Sequence, residues 1–193
     1  MKNNRHGQAA VISESDYSKI RKQIRSQKYR LLLDLAWFTG ERIGALSQVK
    51  INDTYNLEKS PRKYITFQAQ TRKATPDGKR KTRQMIMHST LRESLQNYNP
   101  NFNCEWLFPD RGGESHISVR WLDKVLRAAV ERAGLAAKGI SWHSFRRTFI
   151  TRLHKNGVGI YTISKIVGHL DVRTTQKYIE LDEDQIEGAI EAL

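Results

Sequence analysis

Residues 28–38 (KYRLLLDLAWF) are apolar almost all round, and this run constrains the fold more than any other. A helix without a polar face has to be enclosed by other elements, so the chain needs packing partners on every side of it. Gly40 ends the run, and a short helix from about Arg42 follows, carrying Ile43, Leu46 and Val49. Upstream, Ser13-Glu14-Ser15-Asp16 reads as a helix start, with Ser13 as the cap and acids in the first turn. That helix runs to about Ser26 and sets Tyr17, Ile20 and Ile24 three to four apart on one face. Residues 1–12 are polar with small residues and read as a flexible lead-in.

Residues 63–67 and 83–87 are β-rich, the first run alternating polar and apolar side chains. Between them Pro76-Asp77-Gly78 marks a turn, which predicts a hairpin with a long basic tip over 71–82. Helices are predicted over 90–98 and 118–133, the second begun by Ser118 and ended by Gly134. An irregular stretch lies between Pro100 and Pro109. The remainder reads as helical: 143–155, stopped by Asn156-Gly157; 161–167, stopped by Gly168; and 173–179. Past Leu181 the sequence turns acidic (DEDQIEGAIEAL), with Ile186, Ala189, Ile190 and Leu193 on one helical face. The fold class is mainly α with a small antiparallel β-sheet (α+β). A lead-in over 1–12, one domain over 13–181 and a tail helix over 182–193 complete the organisation.

Lys and Arg number 33 against 20 Asp and Glu, a formal net charge of +13. A soluble domain this basic faces a polyanion, of which nucleic acid is the commonest. Cys104 is the sole cysteine, which leaves no disulfide framework and no thiolate metal site. His143 and His169 lack a third ligand at metal-binding spacing. No apolar run approaches membrane-spanning length, and the start MKNNRHGQAA lacks the apolar core of a signal peptide. These features predict an intracellular, cytoplasmic protein with no membrane partner.

The densest chemistry lies in 142–179. His143 and Arg146 stand one helical turn apart, and Tyr178 follows His169 by nine positions. Arg pairs with phosphate oxygens in a planar fork, His moves protons near neutral pH, and Tyr can attack phosphorus. One guanidinium holds a five-coordinate phosphorus dianion poorly, so a second cation is expected upstream. Thr39-Gly40-Glu41-Arg42 supplies it, on a helix that starts just after the buried one.

Thr-Gly-x-Arg at 39–42, Lys73 in the basic hairpin, His143-x-x-Arg146, Gly168-His169 and Tyr178 occur in an order that resembles the catalytic domain of the tyrosine recombinases, the phage integrase family. The resemblance covers roughly residues 13–181 and implies that family's catalytic-domain fold. It also implies a site-specific DNA recombinase or integrase. Tyr178 would attack the scissile phosphate in line, form a 3′-phosphotyrosyl link and free a 5′-hydroxyl; attack by such a hydroxyl from another strand reverses the step without ATP. On the same resemblance Arg42 and Arg146 clamp the phosphate, His143 transfers the proton beside the tyrosine, and His169 bonds a non-bridging oxygen. Lys73 is the general acid for the leaving 5′ oxygen, and neither metal nor other cofactor is needed. Arg72, Lys79, Arg80, Lys81, Arg83, Arg147 and Arg173 are then read as sequence-independent phosphate contacts. The implied partner is double-stranded DNA, bound as a tetramer by a protein that is monomeric when free, on prokaryotic nucleoid, plasmid or phage DNA.

The chain departs from the family pattern in two places. Members commonly carry an acidic residue three positions after the first arginine, which buttresses the active site; here that position is Ala45. Members also carry a separate N-terminal helical domain that clamps the other face of the DNA, absent from this chain, which reads as a fragment or a naturally short member with weak, less specific binding. The acidic tail has two uses, docking on a neighbouring protomer or folding back on its own core. Several site residues have a plainer reading as well: Tyr178 packed in the core, Arg42 in a surface salt bridge with Glu41 or another acid, His143 satisfied against Trp142, His169 as a helix cap, and the basic hairpin residues as a solvated charge run. Two other functions fit parts of the pattern. One is type IB topoisomerase-like strand relaxation; the other is a non-catalytic DNA-binding module built on helices 143–155, 161–167 and 173–179.

Overall fold

The computed structural model describes residues 9–72, 78, 80–169, 171–178 and 191. The chain forms two compact units, Met1–Phe149 and Ile150–Leu193.

The first unit is built around α2 (Gln27–Thr39), in which every residue from Leu31 to Trp37 is buried, as its all-round apolar pattern requires. Its one buried charge, Asp34, is matched on every side. Arg21 grips it with a two-nitrogen fork at 2.7 and 2.8 Å, and the Tyr17 hydroxyl donates to it at 2.5 Å. Burial, then the Asp34 carboxylate, pushes the Tyr17 phenol well above its ordinary pKa. Both partners lie on α1 (Glu14–Lys22), whose Ser13 cap accepts from the Asp16 N–H at 3.1 Å. Tyr17 also stacks on Trp37, ring centroids 4.2 Å apart. α1 stops short of Ser26, because Gln23 and Ile24 donate three residues back, to Ile20 and Arg21, which tightens and ends the helix.

α3 (Ile43–Leu46) follows α2 directly, with Arg42 at its N-cap. The hairpin is β1 (Tyr64–Phe67) against β2 (Arg83–Ile86), antiparallel, with Tyr64 opposite Ile86 and Phe67 opposite Arg83. Alternation sends Ile65 and Phe67 into the core and leaves Tyr64 and Ile86 exposed. α4 (Ser89–Gln96) buries Leu91 and Leu95. α5 (Val119–Arg132), capped by Ser118, buries Leu122, Leu126, Ala129 and Val130. α6 (Trp142–Lys155) begins in the first unit, where Phe145 meets Trp37 edge-on.

Residues 9–12 differ from the expected flexible lead-in. Ala10 and Ile12 are buried, the Ile12 N–H donates to Thr148 Oγ1 at 2.8 Å, and the Ala9 carbonyl accepts from Arg147 at 3.2 Å. Two apolar side chains suffice when α6 also satisfies the backbone around them. Residues 1–8 lie outside the described residues.

In the second unit α7 (Ile160–Val167) ends at Gly168, in the left-handed conformation, and α8 (Val172–Gln176) is capped by Asp171. α8 stops two residues before Tyr178, which was expected within a helix and instead sits in the following turn, its N–H donating to the Thr175 carbonyl at 3.0 Å. The tail helix expected over 182–193 falls, apart from residue 191, outside the described residues. Among the described residues no helix is long and apolar enough to cross a membrane.

Candidate active site

The site of the first unit starts from the way α2 ends. Gly40 takes φ 57°, and a Cβ there would lie 2.5 Å from the Phe149 ring, so both the turn and the packing require glycine. The turn leaves the Gly40 carbonyl free to accept from Arg146 Nη1 at 2.7 Å. It also directs the next side chain, Glu41, into the interior.

Glu41 is 2% exposed and collects cations from three separate segments. Arg83 of β2 donates from Nη1 to Oε2 at 2.8 Å, Arg72 Nε lies 3.3 Å from the same oxygen, and Arg146 Nη1 of α6 lies 3.8 Å from Oε1. The Arg42 backbone N–H donates to Oε1 at 2.8 Å. Burial by itself would raise the Glu41 pKa. Arg83, Arg146 and Arg72, helped by the Arg42 N–H, outweigh it and hold the carboxyl below its usual range. Burial lowers the Arg83 pKa, with Glu41 opposing and Arg72 and Arg42 adding to the fall. A guanidinium stays charged in proteins, so Glu41 sets the ionisation of the pair and both partners are ionic near neutral pH.

Arg42, Arg72, His143 and Arg146, with Ala45 and Trp142, line a cleft of about 260 Å³ next to this buried carboxylate. Arg146 is 3% exposed and immobilised by Gly40, whereas Arg42 is half-buried and His143 exposed. The pairing of Arg42 with Glu41 runs through its backbone, and among the described residues no carboxylate holds its guanidinium. His143 is not packed in the core; its neighbour Trp142 is, because adjacent helix positions face different ways. The guanidinia of Arg72, Arg83 and Arg146 meet one carboxylate and that of Arg42 stands in the same cleft, so the cluster keeps three formal positive charges in a confined space and suits a phosphate diester. A larger open cleft of about 410 Å³ lies between α1, α2 and α4, but its buried carboxylate, Asp34, is already matched by Arg21 and Tyr17.

The expected phosphate contacts separate into different groups. Arg80 and Lys81 are exposed near the hairpin tip, and Arg80 Nη1 donates to the Gln70 carbonyl at 2.7 Å. Arg173 is exposed and pairs with Asp171 at 2.9 Å. Arg72 lines the cleft beside Arg42 and Arg146. Arg83 and Arg147, both 6% exposed, are turned into the first unit, which leaves them no surface for a phosphate. The inward phase of β2 puts Arg83 on the Glu41 side. Lys73 and Lys79 fall outside the described residues.

In the second unit the left-handed turn at Gly168 presents His169. Its N–H donates to the Ser164 carbonyl at 2.9 Å, its Nδ1 meets Thr175 Oγ1 at 2.8 Å, and its ring stacks with that of Tyr178 at 5.8 Å. Thr151 Oγ1 donates to the Tyr178 carbonyl at 3.2 Å. The imidazole and the phenol are therefore adjacent, and Tyr178 is only half-buried.

Glu41, which from sequence alone reads only as a pairing partner for Arg42, is the buried carboxylate on which the cluster converges. Its only signal was a lone acid between Gly40 and Arg42 at the end of a buried helix.

The model of the phage integrase family matches residues 10–185. The tyrosine recombinase XerD of Brucella suis biovar 1 is 25% identical over 179 residues, covering 92% of this chain and 56% of that protein. Among solved structures, the Tn1549 transposon integrase in complex with transposon right end DNA superposes with a TM-score of 0.74 at 17% identity, over 98% of this chain and 67% of that one. The catalytic domain of bacteriophage HP1 integrase gives a TM-score of 0.62 at 19% identity, over 95% of each chain. These structural likenesses are likenesses of fold. The chain spans about half the length of the XerD proteins it matches.

Proposed function

Because this chain belongs to the phage integrase family, we propose that it cuts and rejoins double-stranded DNA at specific sites through a covalent 3′-phosphotyrosine on Tyr178. The observation that carries this reading is the cleft in which Arg42, Arg72, Arg146 and His143 converge around a buried carboxylate. Phosphoryl transfer needs little covalent chemistry from a protein; it needs positioning and charge stabilisation. The Tyr178 oxygen attacks phosphorus while the P–O5′ bond breaks, and the phenolic proton passes to His143. Arg42 and Arg146 hold the non-bridging oxygens as negative charge builds, with His169 donating to the same group. Lys73 protonates the leaving 5′ oxygen. A 5′-hydroxyl from another strand reverses each of these transfers, so the energy of the phosphodiester is kept in the tyrosyl link. Arg80, Lys81 and Arg173 hold the flanking backbone electrostatically, and tetramer formation on DNA belongs to the same reading.

The test is covalent trapping on a library of nicked duplexes of randomised sequence, in which the short 5′ fragment diffuses away after cleavage. The expected result is an adduct that survives denaturing electrophoresis with the wild type and is missing with Tyr178→Phe at equal DNA binding. Binding with no adduct from the wild type would overturn the catalytic reading and leave a DNA-binding module.

A further inference from the structure

Position 45 is a buried alanine that lines the cleft, where the family pattern calls for a carboxylate. A cluster of guanidinia without an acid is under mutual repulsion, and its members turn away from one another unless something holds them. Here that something stands four residues earlier. We infer that Glu41 is the positioning residue of this active site, taking over the buttress role lost at Ala45, and that it presents Arg72 as a third phosphate-facing guanidinium beside Arg42 and Arg146. This inference rests on the recombinase reading above.

Three observations carry it. Glu41 is fully enclosed and each carboxylate oxygen is engaged: Oε1 by the Arg42 N–H at 2.8 Å with Arg146 Nη1 at 3.8 Å, Oε2 by Arg83 Nη1 at 2.8 Å with Arg72 Nε at 3.3 Å. The four arginines come from α3's N-cap, the segment after β1, β2 and α6, so one side chain ties together every segment that lines the cleft. Arg72 is restrained from two sides, by the charge of Glu41, whose Oε2 lies 3.3 Å from its Nε, and by the hydrogen bond its Nη1 donates to the Lys81 carbonyl at 2.9 Å. A guanidinium restrained this way loses little further freedom when it meets a phosphate. Arg83 has the complementary job. It is buried, bonds Glu41 and the Thr39 carbonyl at 3.1 Å, and so fixes the carboxylate rather than the substrate.

The charge arithmetic separates positioning from simple attraction. Replacing Glu41 by Gln adds one positive charge to the cleft, which on electrostatics alone strengthens binding of a phosphate. Loss of orientation acts the other way, and only on the chemical step, because a shift of about 1 Å in a phosphate-holding group costs about 100-fold in rate. A positioning role therefore predicts slower cleavage without weaker binding. The experiment uses the full chain and the duplex pool recovered in wild-type adducts, with single-turnover cleavage at saturating DNA and the dissociation constant measured separately. Glu41→Gln should cleave about 100-fold more slowly while binding DNA as tightly as the wild type or more so. Glu41→Asp, which keeps the carboxylate, should recover most of that loss. Should Glu41→Gln fail to fold, as circular dichroism would reveal, Arg72→Gln takes its place and should slow cleavage at saturating DNA, with binding weakened by no more than about one phosphate contact. Cleavage by Glu41→Gln or Arg72→Gln at the wild-type rate overturns the inference, and so does Glu41→Asp as slow as Glu41→Gln. No adduct from the wild type itself overturns the recombinase reading, and this inference with it.

Discussion

Replacing Gly40 by alanine tests the local argument from which the site is built. Two costs add. A left-handed conformation costs an L-residue about 1–2 kcal/mol, and Gly40 sits at φ 57°. The new Cβ would also lie 2.5, 2.8 and 2.9 Å from Phe149 Cδ1, Cγ and Cβ, inside the distance real Cβ atoms keep, and overpacking of this kind costs about 1–3 kcal/mol. Alanine stiffens the unfolded chain and returns about 0.5 kcal/mol. The net expectation is a loss of about 3 kcal/mol. Gly134→Ala is the control, because Gly134 has φ 71° but nothing within 4 Å of an added Cβ, so it should lose only about 1 kcal/mol from its conformation. Urea unfolding followed by tryptophan fluorescence suits the comparison, since Trp37, Trp106, Trp121 and Trp142 all lie in the first unit. If Gly40→Ala shifts the midpoint no further than Gly134→Ala, the close approach of Phe149 is not what demands glycine, and the account of the turn fails.

Other outcomes follow from the same contacts. Thr148→Val removes the acceptor of the Ile12 N–H and should cost about 1–3 kcal/mol, with hydrogen exchange at the Ile12 amide speeding up ahead of exchange in α2. Arg83→Ala takes from Glu41 its nearest guanidinium but leaves Arg72 and Arg146 beside it, so it should destabilise by less than the about 3–5 kcal/mol of a buried charge left unpaired, as read from the urea midpoint. Arg80→Ala should leave the urea midpoint within about 0.5 kcal/mol yet lower the salt dependence of DNA binding by about one phosphate contact. Glu41 also makes stability depend on acid. Its folded pKa lies below the ordinary value of about 4.5, so the unfolded chain takes up the proton first as pH falls. The contribution is complete above about 4.5 and disappears at lower pH; Glu41→Gln should remove that part of the acid transition, as measured by urea midpoints across this range.

Much of the architecture is determined by local sequence. The all-round apolar α2 could only be a buried helix, Ser13 and Ser118 cap the helices they precede, Gly40 and Gly168 end theirs in the left-handed region, and the alternation at 63–67 sets the inner face of the hairpin. These features depend on neighbours within a few residues, where periodicity and side-chain chemistry act directly. Arg42, His143 and Arg146 were legible too, because each is a charged or titratable group on or at the edge of a rigid element. Tertiary structure decided the rest. Arg83 and Arg147 look like members of a solvated charge run, yet both are interior, and residues 9–12 look like a loose end, yet Ile12 is pinned to α6. Glu41 draws together Arg72, Arg83 and Arg146, and the Gly40 carbonyl meets Arg146 across 106 residues of chain. Whether a charge faces water or another charge depends on which distant segment folds against it, and near-neighbour chemistry carries no record of that choice.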